Sequence, residues 1–425
     1  MTIKSNLLWQ FLGQGLGKGF TLLFYIVLPL SISLEAYGEF SYAFSLGLII
    51  FKLCVEMGLD FVITKWVSRG SFDILNKVLK IRIIMAALAV LIAFVVNLVS
   101  PLNLKLIILI LFYLFISSWQ NAIFAFLRGI EKMQYEAIIT PIQKSVALLF
   151  LIILVSWQFS PTEEIAPLAL LVSSIPGLLW LLMIAKREKK KEKPQSTPIG
   201  YKNILWEGIC LGAVSFLWII YFKIDSVMLG MMSGDREVGI YNIAYKIMEG
   251  AIFFPSTIGI VFFPKLSKQE EFTETFPQVL VILGTLGSIA TILLYFLSAP
   301  IIHLIYRGEF LESIDTLKIL SLVLLPIFLG TLTTQSTIAL DRNRTYLLLV
   351  FLGTCLNISL NYLLIPSFGG IGAALATLVT ETFVMLTCGY YVWKIRPLAF
   401  SKKQFYLAIQ KMLHTFFAFF ARNKK

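Results

Sequence analysis

Apolar residues run through this chain in long blocks, and short polar segments punctuate them. About twelve blocks are long enough to cross roughly 30 Å of hydrocarbon as α-helices. They cover 7–31, 40–64, 81–100, 104–127, 137–157, 165–185, 204–231, 240–263, 277–305, 314–340, 345–365 and 370–393. The pattern predicts an all-α membrane protein. Prolines 29, 141, 176, 255 and 326 fall within or near span ends, where neighbouring helices re-satisfy the freed carbonyls. Lys4 leads into an apolar run without a small-residue cleavage site, so the N-terminus reads as a first span and not as a signal peptide.

The polar segments give the orientation. Of 36 Lys and Arg, about 27 lie in alternate loops and tails, against roughly three in the opposite loops, Lys105, Arg236 and Arg307. The rich set includes Lys4, the group Lys65, Arg69, Lys77, Lys80 and Arg82, the run from Lys186 to Lys202, and the residues from Lys394 onward. Positive charge stays in the cytoplasm, so both termini are expected there.

The midpoint segment Lys186–Lys193, followed by Pro194 and Pro198, reads as a cytoplasmic linker or as a plain positive-inside anchor. The expected organisation is a six-span half at 1–185, a linker at 186–203, a second six-span half at 204–393 and a tail at 394–425. The halves share a pattern. Gly38, Phe40 and Ala43 open span two, and Gly239, Tyr241 and Ala244 open span eight; Gly58 and Gly259 follow at one offset. Both spans start outside, so the repeat is parallel, about an axis along the membrane normal. In the tail, Phe405, Ile409, Met412, Phe416 and Phe420 recur at helical spacing beside Lys402, Lys403, Lys411 and Arg422, as in an amphipathic helix on an anionic leaflet.

Composition agrees with a membrane chain. Hydrophobic residues make up 58% and charged residues 14%, against roughly 25% charged in soluble domains. The net charge of +12 does not imply nucleic acid, because the basic residues sit in loops between apolar runs and form no solvated stripe. Cys54, Cys210, Cys355 and Cys388 all lie in apolar runs and read as small buried hydrophobes. His303 and His414 have no companions at metal-ligand spacing, and no P-loop or nucleophile elbow occurs. Neither a metal nor a cofactor is expected, and nothing marks the chain as an enzyme.

The informative residues are charges inside spans. Lys18, Lys52, Lys144, Lys223 and Lys246 are candidate contacts for an anionic substrate; Glu56, Asp225, Glu249 and Glu381 are candidate coupling or ion-pair groups. Each midplane charge costs roughly 2.5–3.5 kcal/mol, so they are expected to face a hydrated cavity or one another. Lys52 with Glu56 and Lys246 with Glu249 are spaced to meet on one helix face, whereas Lys223 and Asp225 are not. Such pairs either cancel their own cost or serve transport. Lys318 lies near a span end and can snorkel.

Several runs carry a family resemblance. Lys223-Ile-Asp225-Ser-Val-Met228, Val238-Gly-Ile-Tyr241-Asn-Ile-Ala244-Tyr-Lys246-Ile-Met-Glu249, Phe262-Phe-Pro264 and Ile365-Pro366-Ser-Phe-Gly369-Gly-Ile-Gly372 resemble oligosaccharide flippases of the MATE-related superfamily. Tyr37-Gly38-Glu-Phe40 and Arg128-Gly129-Ile-Glu131-Lys132 extend the resemblance into the first half. It implies two pseudo-symmetric six-helix bundles around a cationic cavity. The implied cargo is an undecaprenyl-diphosphate-linked oligosaccharide for O-antigen, capsule or related glycans, flipped to the periplasmic leaflet of a bacterial inner membrane by alternating access. Membrane lipids, a glycan polymerase and chain-length proteins are the implied partners, and a proton or sodium gradient is the candidate drive. Asn357, Asn361 and Gln335 are candidate cavity-lining or interhelical polar groups. A cation-coupled multidrug exporter on the same scaffold and a peptidoglycan-precursor flippase are the alternatives. The excess of intramembrane Lys opposes the first, and the shortness of the chain opposes the second.

Overall fold

The structure, a computed structural model, describes residues 3–99, 103–156, 162–190, 199–306, 308–404 and 406–410. Among them every regular element is helical. Among the described residues ten helices are long and apolar enough to cross a membrane, and a shorter apolar helix spans Gly15–Leu30. Exposed side chains such as Leu98, Ile260, Phe296 and Leu304 give the apolar outer surface that lipid requires. The chain divides into two compact units, Met1–Gly239 and Ile240–Lys425.

The first unit contains α1 (Ile3–Val27), α2 (Leu34–Phe51), α3 (Leu59–Val67), α4 (Ile74–Val99), α5 (Leu104–Gly129), α6 (Gln134–Ser156), α7 (Ile165–Lys189), α8 (Tyr201–Ser233) and the first turn of α9 (Asp235–Ala251). Helix α1 packs on α6, α5 on α3 and α7, and α8 on α2 and α3. The buried centre includes Val62, Ile63, Phe126, Leu127 and Leu181. Local chemistry sets the helix starts: Ser33 accepts a hydrogen bond from the Ala36 amide at 3.2 Å, and the Asn103 side chain accepts from Lys105 and Leu106. These side-chain oxygens satisfy amides that have no partner within the helix. Ion pairs tie helix ends together, Lys132 with Glu188 and Lys189 with Asp73.

Span two, expected as one helix over 40–64, is interrupted. A π-helical turn at Lys52–Glu56 follows α2, and Met57 and Gly58 then take positive φ of 41° and 69° before α3 begins. Left-handed backbone suits glycine and costs Met57 strain. Gly58 rests against the backbone of α8 at Gly208 and Gly212. At the start of α2 there is a reciprocal contact. A Cβ built on Gly38 would lie 1.7 Å from the Asp235 carbonyl oxygen, and one on Gly239 2.6 Å from the Leu34 oxygen.

The second unit holds the rest of α9, then α10 (Phe253–Leu266), α11 (Gln269–Ile305), α12 (Ser313–Ala339) and α13 (Asn343–Ile395). Helix α12 packs against α10, α11 and α13. Helix α13 is kinked at Gly369, whose φ of 51° and ψ of −130° leave the helical region. The kink falls between the expected spans 345–365 and 370–393.

Two expectations need amendment. Arg82, counted with the loop cations, lies within α4 and is fully buried, because Asp60 holds it there. Cys54 and Cys388 are buried as expected, but Cys210 and Cys355 are exposed; a thiol is apolar enough for a lipid-facing position. The expected amphipathic tail rests largely on Phe405, Met412, Phe416 and Phe420, which lie outside the described residues, as do residues 191–198 of the basic linker.

Candidate functional site

The interrupted segment of span two carries three charged side chains at four-residue intervals, Lys52, Glu56 and Asp60. The Lys52 ammonium sits 2.5 Å from Glu56 Oε2. Asn121 of α5 donates to the other Glu56 oxygen at 3.4 Å. Beyond the Met57–Gly58 break, Asp60 Oδ1 accepts from Arg82 Nη2 of α4 at 2.6 Å, and Arg82 Nη1 donates to the Ser118 carbonyl of α5. The Thr64 hydroxyl lies 3.0 Å from the Asp60 carbonyl and 3.1 Å from that of Ala125, tying α3 to α5. Helices α4, α5 and α8 thus meet at the break, α8 through its glycines.

The two ion pairs differ in freedom. Side-chain exposure is 32% for Lys52 and 17% for Glu56, but 0% for Arg82 and 20% for Asp60. Removing Asp60 would strand the wholly buried Arg82 charge, at a cost of about 3–5 kcal/mol. Arg82 is therefore fixed, whereas Lys52, a third exposed, carries its ammonium on a flexible stem. π-Turns recur where a helix must redirect side chains for function, and this one places Glu56 at the edge of the break.

The other sequence candidates are spread more widely. Lys144 of α6 is half-buried, 3.4 Å from the Tyr113 hydroxyl of α5. Lys18 is exposed on α1, Lys223 is half-buried on α8, and Asp225 is buried two residues further on; all three take part in polar or electrostatic interactions. In the second unit Lys246 meets Glu249 at 2.7 Å, as the spacing predicts, and Glu381 is half-buried on α13. Lys318 pairs with Asp315 at 2.9 Å. Asn357 and Asn361 are buried and joined along α13 by a 3.0 Å hydrogen bond, so they serve packing and line no wet surface. Gly259 leaves room for Gln335, whose amide nitrogen a Cβ there would approach to 2.3 Å. Among the described residues no group of three His, Cys, Asp or Glu is placed to hold a metal.

Sequence reasoning missed Asp60, Arg82 and Asn121 as members of the site. The one available signal was that Asp60 continues the four-residue spacing of Lys52 and Glu56.

Residues 3–270 match the family described as polysaccharide biosynthesis protein. A putative O-antigen transporter of Shigella dysenteriae is 26% identical over 409 residues, covering 90% of this chain and 98% of that protein. Among solved structures, a multidrug resistance MATE family transporter of the MOP superfamily, in an inward-facing conformation, aligns with a TM-score of 0.68 at 14% identity. That alignment covers 90% of this chain and 95% of the other. The lipid II flippase MurJ aligns with a TM-score of 0.66 at 16% identity, over 97% and 92%. These structural likenesses establish a MATE-like fold. With its matching segment running from residue 3 to residue 270, this multi-pass membrane chain belongs to the polysaccharide biosynthesis protein family.

Proposed function

We propose that the chain flips polyprenyl-diphosphate-linked oligosaccharide units from the cytoplasmic to the outer leaflet of a bacterial inner membrane, by alternating access through a cationic cavity. The observation that carries this reading is the charged break in span two of a chain that belongs to a polysaccharide family. A diphosphate head group sheds water when it enters a membrane, and cations at that depth offset the loss. Lys18, Lys52, Lys144, Lys223 and Lys246 are the proposed anion contacts; Glu56, Asp225, Glu249 and Glu381 are the proposed coupling or balancing groups.

The proposed architecture is twelve spans in two six-helix bundles with both termini cytoplasmic. Dividing α13 at Gly369 and adding Gly15–Leu30 to the ten long apolar helices supports that number, and the Lys and Arg bias supports the orientation. One offset of 201 residues relates Gly38 to Gly239 and Leu34 to Asp235, and these four residues make the reciprocal contact at the start of α2. Such reciprocity is what a parallel repeat about an axis along the membrane normal produces. The basic linker and tail, a glycan polymerase and chain-length proteins complete the proposal as cytoplasmic anchors and partners.

The test is reconstitution in liposomes with a fluorescent polyprenyl-diphosphate oligosaccharide, following the label's access to an impermeant quencher. Protein-dependent exchange between leaflets is expected. Absence of exchange, together with export of cationic dyes by the same liposomes, would move the chain to the drug-transport branch of the fold.

A further inference from the structure

We propose that Arg82 is the reserve counter-cation that lets Lys52 exchange Glu56 for a phosphate of the substrate. The inference rests on the flippase reading and adds to it a positioning residue on α4.

The need for such a residue follows from the ion pair. Lys52 is engaged with Glu56 at 2.5 Å, so an anion that arrives at the ammonium meets a carboxylate beside it. Two anions sharing one cation repel strongly in a medium poor in water. If Lys52 turns to a phosphate, Glu56 retains a single hydrogen bond, from the Asn121 amide at 3.4 Å, too little for a carboxylate that is largely desolvated.

Arg82 has the missing capacity. Its guanidinium is wholly buried and has five N–H donors in a fixed fork. Nη2 serves Asp60 and Nη1 the Ser118 carbonyl, but Nε, although buried, has no hydrogen-bond partner among the described residues. The same guanidinium lies within electrostatic reach of Glu56. A buried donor left unmatched in a native protein calls for an explanation, and a carboxylate four residues before the one Arg82 already holds, on the turn that packs against α4, supplies one.

The backbone permits the exchange. Glu56 and Asp60 stand on opposite sides of Met57 and Gly58, which have left the helical region. With Gly58 held against α8, turning of the Glu56 side chain about its own torsions redirects the carboxylate while α3 stays attached to Arg82 and α5. In the exchange the Lys52 ammonium passes to the phosphate, and Glu56 passes to Arg82 Nε–H and the Asn121 amide. No proton moves, and every charge keeps a partner throughout.

The test is a mutant cycle in lipid nanodiscs, with farnesyl diphosphate as the probe. Asp60→Asn/Arg82→Gln removes both charges of the fixed pair, so no stranded charge remains. With Glu56 present, this change should weaken binding roughly tenfold. In a Glu56→Gln background, where Lys52 has no carboxylate to leave, it should alter affinity less than about twofold. Glu56→Gln alone should tighten binding. Equal losses in both backgrounds would mean that Asp60 and Arg82 only hold α3 against α4, and would overturn the proposal while leaving the flippase reading intact. If the double variant does not fold, Arg82→Lys, which keeps the charge and loses Nε–H, is read through the same cycle: a smaller loss than the roughly tenfold is expected with Glu56 present and no loss in the Glu56→Gln background, and equal losses in both would overturn the proposal. Failure of the wild-type protein to bind the diphosphate would remove both proposals.

Discussion

Gly58 and Gly212 stand backbone to backbone: a Cβ on Gly58 would lie 2.4 Å from the Gly212 nitrogen, and one on Gly212 2.5 Å from the Met57 carbonyl carbon. Gly208, one turn earlier on α8, has Leu59 and the Met57 oxygen within 3 Å of its own Cβ position. Small residues four apart allow membrane helices to approach this closely. Here the glycine face of α8 receives the point where span two leaves the helical path, so α8 supports the charged break from behind.

Gly212→Val should lower stability by about 1–3 kcal/mol through overpacking, measured as a lower melting temperature in detergent. Gly19→Ala, on α1 with nothing within 4 Å of its Cβ position, should leave the melting temperature unchanged or slightly raised.

Gly369→Ala should cost about 1–3 kcal/mol, because an alanine is strained at φ 51° and ψ −130°. The loss should appear in the same melting assay. A melting curve matching the parent's would mean that the kink tolerates an ordinary residue.

Arg82→Met leaves Asp60, a fifth exposed, without its cation and should destabilise by less than the roughly 3–5 kcal/mol of a wholly buried stranded charge. Asp60→Asn/Arg82→Met should recover part of that loss, because no charge is stranded. Comparison of the three melting temperatures separates the two effects.

Lys18→Ala and Lys52→Ala should each slow leaflet exchange by about tenfold, the value of one lost charge-assisted hydrogen bond to phosphate. Membrane insertion, followed by fractionation, should stay at the parent's amount. Full activity in both variants would remove these residues from the proposed substrate path.

The membrane class and the helical architecture were legible in the sequence because apolar run length answers directly to bilayer thickness. The pairs Lys52–Glu56 and Lys246–Glu249 were legible because helical spacing brings such residues onto one face. The break in span two was not. Leu53, Val55 and Leu59 carry the apolar pattern on past Lys52, Glu56 and Asp60, and the left-handed turn depends on the glycines of α8, more than 140 residues away. Arg82 was misread for a related reason: it sits at the polar edge of an apolar block, and only the tertiary contact with Asp60 draws it inside. The burial of Asn357 and Asn361 was equally hidden, since a polar residue in a span reads alike whether it faces water or another helix.

The central claim is tested most directly by the leaflet distribution of the lipid-linked oligosaccharide in cells lacking this protein. The account predicts accumulation on the cytoplasmic face, relieved by the wild-type gene and not by Lys18→Ala/Lys52→Ala. An unchanged leaflet distribution, with altered resistance to cationic dyes, would contradict it.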